Sequence, residues 1–281
     1  MKFSFLFTVI LVFFLPSCQE NQPEKEKKTN NTLQSRQEEK NISFKALLED
    51  LEILKADPCM KDAELGYMII DCTEKDPLVI AENHPRKMLM PASTLKLFVT
   101  GAALEILGKD IIPEVTITNQ MSVNWRASKI LRKIGGKVFN QATTPSGARA
   151  ILQFWNSKGL DTRGMYFYDG NGLSRNDAVS PKQLVDALYI MQRSPYFQQF
   201  YESLPLAGLS GTLHKAMKGT VAQGRIRAKT GTISKVKSFA GYVHTESGQK
   251  LIFSLIVNDF NCRTRLMKRK LEEILIRMAE I

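Results

Sequence analysis

The order of apolar patterns along this chain predicts an α/β (α+β) fold. The expected core is a five-stranded antiparallel sheet flanked by helices, with a small helical lobe inserted between the second and third strands. Three observations carry the prediction. Two strand-like runs, Glu64–Asp71 and Pro77–Ala81, flank a turn near Thr73-Glu74-Lys75-Asp76. Three more, Gly224–Lys229, Ser238–Thr245 and Lys250–Val257, follow one another late in the chain. Helix-patterned segments lie before, between and after these two groups.

The elements follow in order. Ser43 to Lys55 reads as an amphipathic helix, with Leu47, Leu48, Leu51 and Leu54 on one side, and Asp57-Pro58 ends it. After the first strand pair, Ser93 to Leu107 reads as a strongly apolar helix closed by Gly108. Ser122 to about Tyr201 is mostly helical with loops, so the lobe spans about 93–223. From Thr264 onward Met267, Leu271, Ile274 and Met278 recur at helical spacing. The two terminal helices are expected on one face of the sheet. No internal repeat is visible.

The first 41 residues read differently. Lys2 precedes an apolar run from Phe3 to Leu15, short for a membrane span, followed by Pro16-Ser17-Cys18. A cysteine directly after a small residue at the end of such a run resembles a bacterial lipobox. Residues 1–18 are thus expected to be a lipoprotein-type signal with Cys18 as the lipidated residue. An ordinary export signal with an incidental cysteine is the alternative. Residues 19–41 hold almost no apolar side chains and cannot offset their ordering entropy by burial, which predicts a flexible tether. The folded domain is expected over 42–281.

Composition narrows the function classes. A chain of 281 residues with 43% hydrophobic content buries a proper core. The formal charge of +11 is concentrated at Arg126 to Lys137, Lys215 to Lys237 and Arg263 to Lys270. It favours anionic partners or is simply a solvated face. An exported chain with no nucleic-acid motif is not expected to bind nucleic acid. His84, His214 and His244 are scattered, so neither a zinc site nor a Ser-His-Asp triad is suggested, and no cofactor is expected. Of the cysteines after Cys18, Cys59 and Cys72 are one expected disulfide; buried free thiols fit equally well.

The chemistry lies in three short motifs in fixed order: Ser93-Thr94-Leu95-Lys96, Ser122-Val123-Asn124 and Lys229-Thr230-Gly231. Ser93 and Lys96, three apart at a helix start, project from one face. A serine hydroxyl is a weak nucleophile until a base takes its proton, and a lysine does so only when its pKa falls. Lys96 is the only charge between Met88 and Leu104, which predicts burial rather than a surface lysine capped by an N-terminal serine. Ser122 is read as heading a helix and as the group that relays a proton to the leaving amine, with Asn124 beside the lysine and the substrate amide. Ser174 and Asn176 form a competing SxN. Ser122 is preferred because it heads a helix and lies about a hundred residues before Lys229. Lys229 and Thr230 are expected to hold a substrate carboxylate, with Gly231 letting substrate approach the strand. The backbone N–H groups of Ser93 and Thr232 are expected to stabilise an oxyanion.

With Asp169-Gly170-Asn171-Gly172-Leu173-Ser174-Arg175, Gly211-Thr212-Leu213 and Ala240-Gly241-Tyr242-Val243, these motifs make the chain resemble the class C low-molecular-mass penicillin-binding proteins. This is the D-alanyl-D-alanine carboxypeptidase/endopeptidase family, peptidase S13. The resemblance runs from about Phe44 to Phe260 and implies a β-lactamase/transpeptidase-like fold. It also implies an acyl-enzyme on Ser93, peptidoglycan stem peptides as substrate and β-lactams as covalent inhibitors. The implied location is the cell envelope, facing the periplasm and lipid-anchored to a membrane. In that family SxN usually reads Ser-Asp-Asn, and large domains separate SxxK from SxN. Here Val123 takes the middle position and only 25 residues, 97–121, separate Lys96 from Ser122. Both inserted domains are therefore absent. Two other readings share the motifs: a β-lactamase or esterase on the same fold, and a non-catalytic penicillin- or peptidoglycan-binding protein.

Overall fold

The structure is a computed structural model, and it describes residues 44–281. Residues 1–43, with the expected signal, Cys18 and the tether, lie outside the described residues.

The sheet has the order β2-β1-β5-β4-β3 and is antiparallel throughout. Its strands are β1 (Glu64–Asp71), β2 (Leu78–Asn83), β3 (Ile226–Ile233), β4 (Val236–His244) and β5 (Lys250–Asn258). The central strands are buried on both faces, so β5 reads as a nearly continuous apolar run and β4 as one from Phe239 to Val243. Their alternation nevertheless divides the core in two. Phe239, Val243, Phe253 and Leu255 face helix α1 (44–56) and the last helix, α8 (Thr264–Ala279). Ala240, Tyr242, Ile252 and Ile256 face the helices of the lobe. The terminal helices do share one face, as the order of the elements predicts.

Between β2 and β3 lie α2 (Lys96–Leu107), α3 (Ile112–Met121), α4 (Asn124–Phe139), α5 (Thr144–Ser157), α6 (Pro181–Met191) and α7 (Phe197–Ser203). Helix α2 is apolar all round because it runs through the middle of the lobe core, and every residue from Lys96 to Leu104 is buried. It stops at Gly108, whose φ of 79° suits a residue without Cβ. Helix α4 is amphipathic: Ala127, Ile130, Leu131 and Ile134 are buried, while Arg126, Lys129 and Arg132 lie on its more open side.

Several expectations are corrected. Helix α3 was not legible, because Val115, Thr116, Ile117 and Thr118 are weak helix formers; Pro113 at its start and packing on α2 and α7 stabilise it. Strand β3 begins at Ile226 rather than Gly224 and continues past Lys229 to Ile233, because Gly224, at φ 76°, still belongs to the turn. The disulfide joins Cys59 to Cys262, and Cys72 is free. Cys59 and Cys72 are near in sequence but stand before and after β1, an extended strand of eight residues, roughly 26 Å long. Cys59 follows α1 and Cys262 precedes α8, and these helices pack on the same sheet face.

The bridge closes a loop of 203 residues. Replacing both partners, Cys59→Ser with Cys262→Ser, is expected to lower stability by roughly 2–5 kcal/mol. Denaturant melts without reductant would show it, and addition of reductant to the wild type would reproduce the loss.

Candidate active site

The chain before α2 is held by oxygen contacts to β4. Pro91 O accepts from Thr94 Oγ1 at 2.7 Å and from Ser238 Oγ at 2.6 Å. A 3₁₀ turn, Ala92–Leu95, then leads directly into α2 and presents Ser93 and Lys96 on one side. Ser93 is buried to 9% exposure and Lys96 completely.

The Lys96 ammonium donates to Ser93 Oγ at 2.7 Å, Asn124 Oδ1 at 2.9 Å and Asn171 O at 2.5 Å. Three hydrogens thus meet three oxygens from three separate segments. Burial lowers its pKa to about 7, while Asp169 and Asp177 pull in the opposite direction and moderate the drop. An amine so placed loses its proton near neutrality and then has a lone pair directed at the Ser93 hydroxyl.

A second group sits across the cleft. Lys229, also fully buried, donates to Ser122 Oγ at 2.9 Å and to Thr230 O at 3.0 Å. Burial, and after it the charges of Lys96 and Lys237, hold its pKa well below the ordinary lysine range. Thr230 Oγ1 donates to Thr212 Oγ1 at 3.2 Å, so two hydroxyls line this end. Ser122 does not head a helix, contrary to the sequence expectation. It ends α3 in the left-handed region, at φ 53°, and Val123 precedes α4. That reversal sets Ser122 towards Lys229 and Asn124 towards Lys96.

Strand β3 lies at the sheet edge. The Ala228 N–H donates away from β4, to Pro205 O, so by alternation the Thr232 N–H also points to that side. Gly231 is required by packing. A Cβ there would stand 2.1 Å from Ser238 Oγ and 2.7 Å from Pro91 O, so only glycine lets the strand lie against the segment leading to Ser93.

Ser174 and Asn176 are not in the cleft. Their backbone N–H groups close a turn onto Asp169 Oδ2 and Ser174 Oγ, and Asn176 is exposed. Their loop enters the site through Asn171 instead, whose carbonyl holds Lys96 and whose side chain donates to Ser128 Oγ at 2.9 Å. Reading the residues one at a time missed Asn171, Thr212 and Lys237. Asn171 and Thr212 lie in motifs already singled out; Lys237, which donates to Thr232 Oγ1 at 2.6 Å, had no sequence signal.

A buried serine–lysine pair on an antiparallel sheet with an inserted helical lobe defines the β-lactamase/transpeptidase-like class. The TLA-3 extended-spectrum β-lactamase superposes with a TM-score of 0.65 at 13% identity, covering 84% of this chain and 98% of the other. Penicillin binding protein 4 (dacB) from Haemophilus influenzae, complexed with a β-lactam, superposes with a TM-score of 0.53 at 22% identity, over 58% of this chain and 39% of that one. The D-Ala-D-Ala carboxypeptidase 3 (S13) family matches residues 47–114 and 113–278, and the chain belongs to that family. The D-alanyl-D-alanine carboxypeptidase of an Actinomadura species is 33% identical over 179 residues, 62% of this chain and 32% of the relative. Carboxypeptidase DacB of Mycolicibacterium smegmatis is 30% identical over 162 residues, 55% of this chain and 35% of the relative. The chain thus spans about a third of the length of these curated relatives. The family match breaks at 113–114, between Lys96 and Ser122.

Gly172 has φ 80°, and a Cβ there would stand 2.0 Å from Ala92 O and 3.1 Å from Ser93 N. Gly172→Ala is expected to leave the far-UV circular dichroism unchanged. It should slow acylation of Ser93 by a fluorescent penicillin by on the order of 100-fold, the loss that misplacement by about 1 Å can bring.

Proposed function

We propose that this chain is a serine-type D-Ala-D-Ala carboxypeptidase/endopeptidase acting on peptidoglycan stem peptides through an acyl-enzyme on Ser93. The observation that carries the reading is the buried Lys96 amine, 2.7 Å from Ser93 Oγ, with its pKa lowered to about 7. Family membership supports the substrate class.

In this reading the neutral Lys96 amine donates to Asn124 Oδ1 and Asn171 O and accepts the Ser93 proton. Ser93 Oγ then attacks the carbonyl carbon of the penultimate D-Ala. The N–H groups of Ser93 and Thr232 receive the oxyanion. The terminal carboxylate lies towards Lys229, Thr230 and Thr212. As the C–N bond breaks, the leaving amine takes a proton delivered from Lys96 through Ser122, whose hydroxyl Lys229 holds in place. Water then attacks the ester, Lys96 takes its proton, and Ser93 is released. β-Lactams acylate the same serine. The reading extends to the bacterial envelope: Cys18 carries the lipid and residues 19–41 act as the spacer.

A β-lactamase is the second reading, favoured by the near-complete overlap with β-lactamases of similar size. Such an enzyme needs a carboxylate free to activate the deacylating water. Asp169 accepts from three backbone N–H groups and Asp177 is 1% exposed, so neither is positioned for that task.

Fluorescent penicillin is expected to label the wild type stably and to leave Ser93→Ala unlabelled, and D-Ala should be released from a D-Ala-D-Ala peptide. Rapid loss of the label with hydrolysed antibiotic would favour the β-lactamase, and no labelling of folded protein would sink both readings. The neutral amine is the reactive form, so the acylation rate should rise about tenfold per pH unit below 7 and level off above it. A rate independent of pH between 5 and 8 would remove Lys96 as the base.

A further inference from the structure

Two carboxylates lie side by side under the loop that cages Lys96, and the mechanism above uses neither. Asp169 accepts the backbone N–H groups of Asn171 (2.8 Å) and Gly172 (2.6 Å) on Oδ1, and that of Ser174 (3.0 Å) on Oδ2. Asp177 accepts those of Tyr168 (2.8 Å) and Asp169 (3.3 Å) on Oδ1. Its Oδ2 is buried and meets no donor among the described residues, while the side chain faces Asp169. A buried carboxylate set against a second one resists taking up a second negative charge. Both oxygens of Asp169 already accept backbone N–H groups. The orphaned Oδ2 of Asp177 is where a hydrogen would complete the pair.

We propose that Asp169 and Asp177 share one proton, carried on Asp177 Oδ2 and donated to Asp169, and that this pair positions Asn171 and sets the charge state of Lys96. Both aspartates are thus positioning residues. Asp169 fixes the Asn171 and Gly172 amides and so aims the Asn171 carbonyl at Lys96 Nζ, 2.5 Å away. Among the described residues, the charged side chain facing the pair is Lys96, from α2. With the proton in place the pair presents one negative charge to Lys96. A second charge would hold the proton on Lys96 and leave less free amine near neutrality. Burial and Asp169 push the Asp177 pKa up to about 7, consistent with a proton retained to neutrality. The effect on catalysis rests on the function proposed above; the shared proton does not.

The test compares the full chain with Asp177→Asn, which keeps the acceptor for the two N–H groups and supplies a permanent hydrogen towards Asp169. Three results are expected. Infrared spectra at pH 6 should show a protonated-carboxyl band in the wild type that moves in deuterium oxide and is missing from the variant. Because the folded wild type binds a proton that the unfolded chain releases above about pH 4, its stability falls as pH rises from there to about 7. The variant should therefore gain in melting temperature relative to the wild type across that window. The Lys96 midpoint, read from the Cε resonance of labelled lysine, should drop by roughly half a unit or more, because no second charge develops beside it. No carboxyl band, a pH-independent melting difference, an unmoved midpoint, or a variant that fails to fold would each overturn the proposal. Penicillin labelling is scored separately: its absence in both proteins overturns the function, while the three readouts still decide the proton.

Discussion

The structure of the site depends on burying the amine of Lys96. A lysine fully removed from water is tolerated only when its donors are satisfied, and here the oxygens come from Ser93, Asn124 and Asn171. Each belongs to a different part of the lobe: the turn before α2, the first residue of α4, and the loop between α5 and α6. The cage therefore exists only when the whole lobe is assembled. The same burial that requires three oxygens also lowers the amine's pKa. Stability demand and chemical readiness thus have one origin.

The lobe achieves this with little chain. Helix α2 carries Lys96 at its start and runs away from the cleft for 12 residues. A three-residue 3₁₀ turn reverses the direction, and α3 returns over 10 residues to deliver Ser122 at its end. The two helices are roughly 18 and 15 Å long, so the outward and return paths nearly match. Twenty-five intervening residues, 97–121, suffice to bring SxxK and SxN together without an inserted domain. The left-handed Ser122 then turns the chain so that residues two apart serve two different lysines.

Electrostatics bind the two halves of the cleft. The charge of Lys96 lowers the proton affinity of Lys229, though less than burial does, and Lys229 also feels Lys237, whose pKa burial lowers to about 8. A basic interior of this kind suits an anionic substrate terminus. It is tempered on one side by Asp169, which faces Lys96 from the loop, and left open on the other, at Thr230 and Thr212.

The sequence alone determined the sheet, the terminal helices on one face, the apolar α2 and the three motifs, because each is written in local periodicity or short fixed spacing. Phe239 and Phe253 against Ala240 and Ile252 are an alternation any reader of the chain can see. Tertiary structure decided what depends on distant segments meeting. It made α3 a helix against weak propensity, and paired Cys59 with Cys262 rather than Cys72 because a strand separates near neighbours while packed helices join remote ones. It put Asn171, not Ser174 or Asn176, against Lys96, since a backbone carbonyl has no sequence signature. It gave Gly231 and Gly172 their purpose through the backbones they approach. Local chemistry is legible along the chain, whereas burial, close approach and the pKa shifts they cause arise only when the chain has folded back on itself.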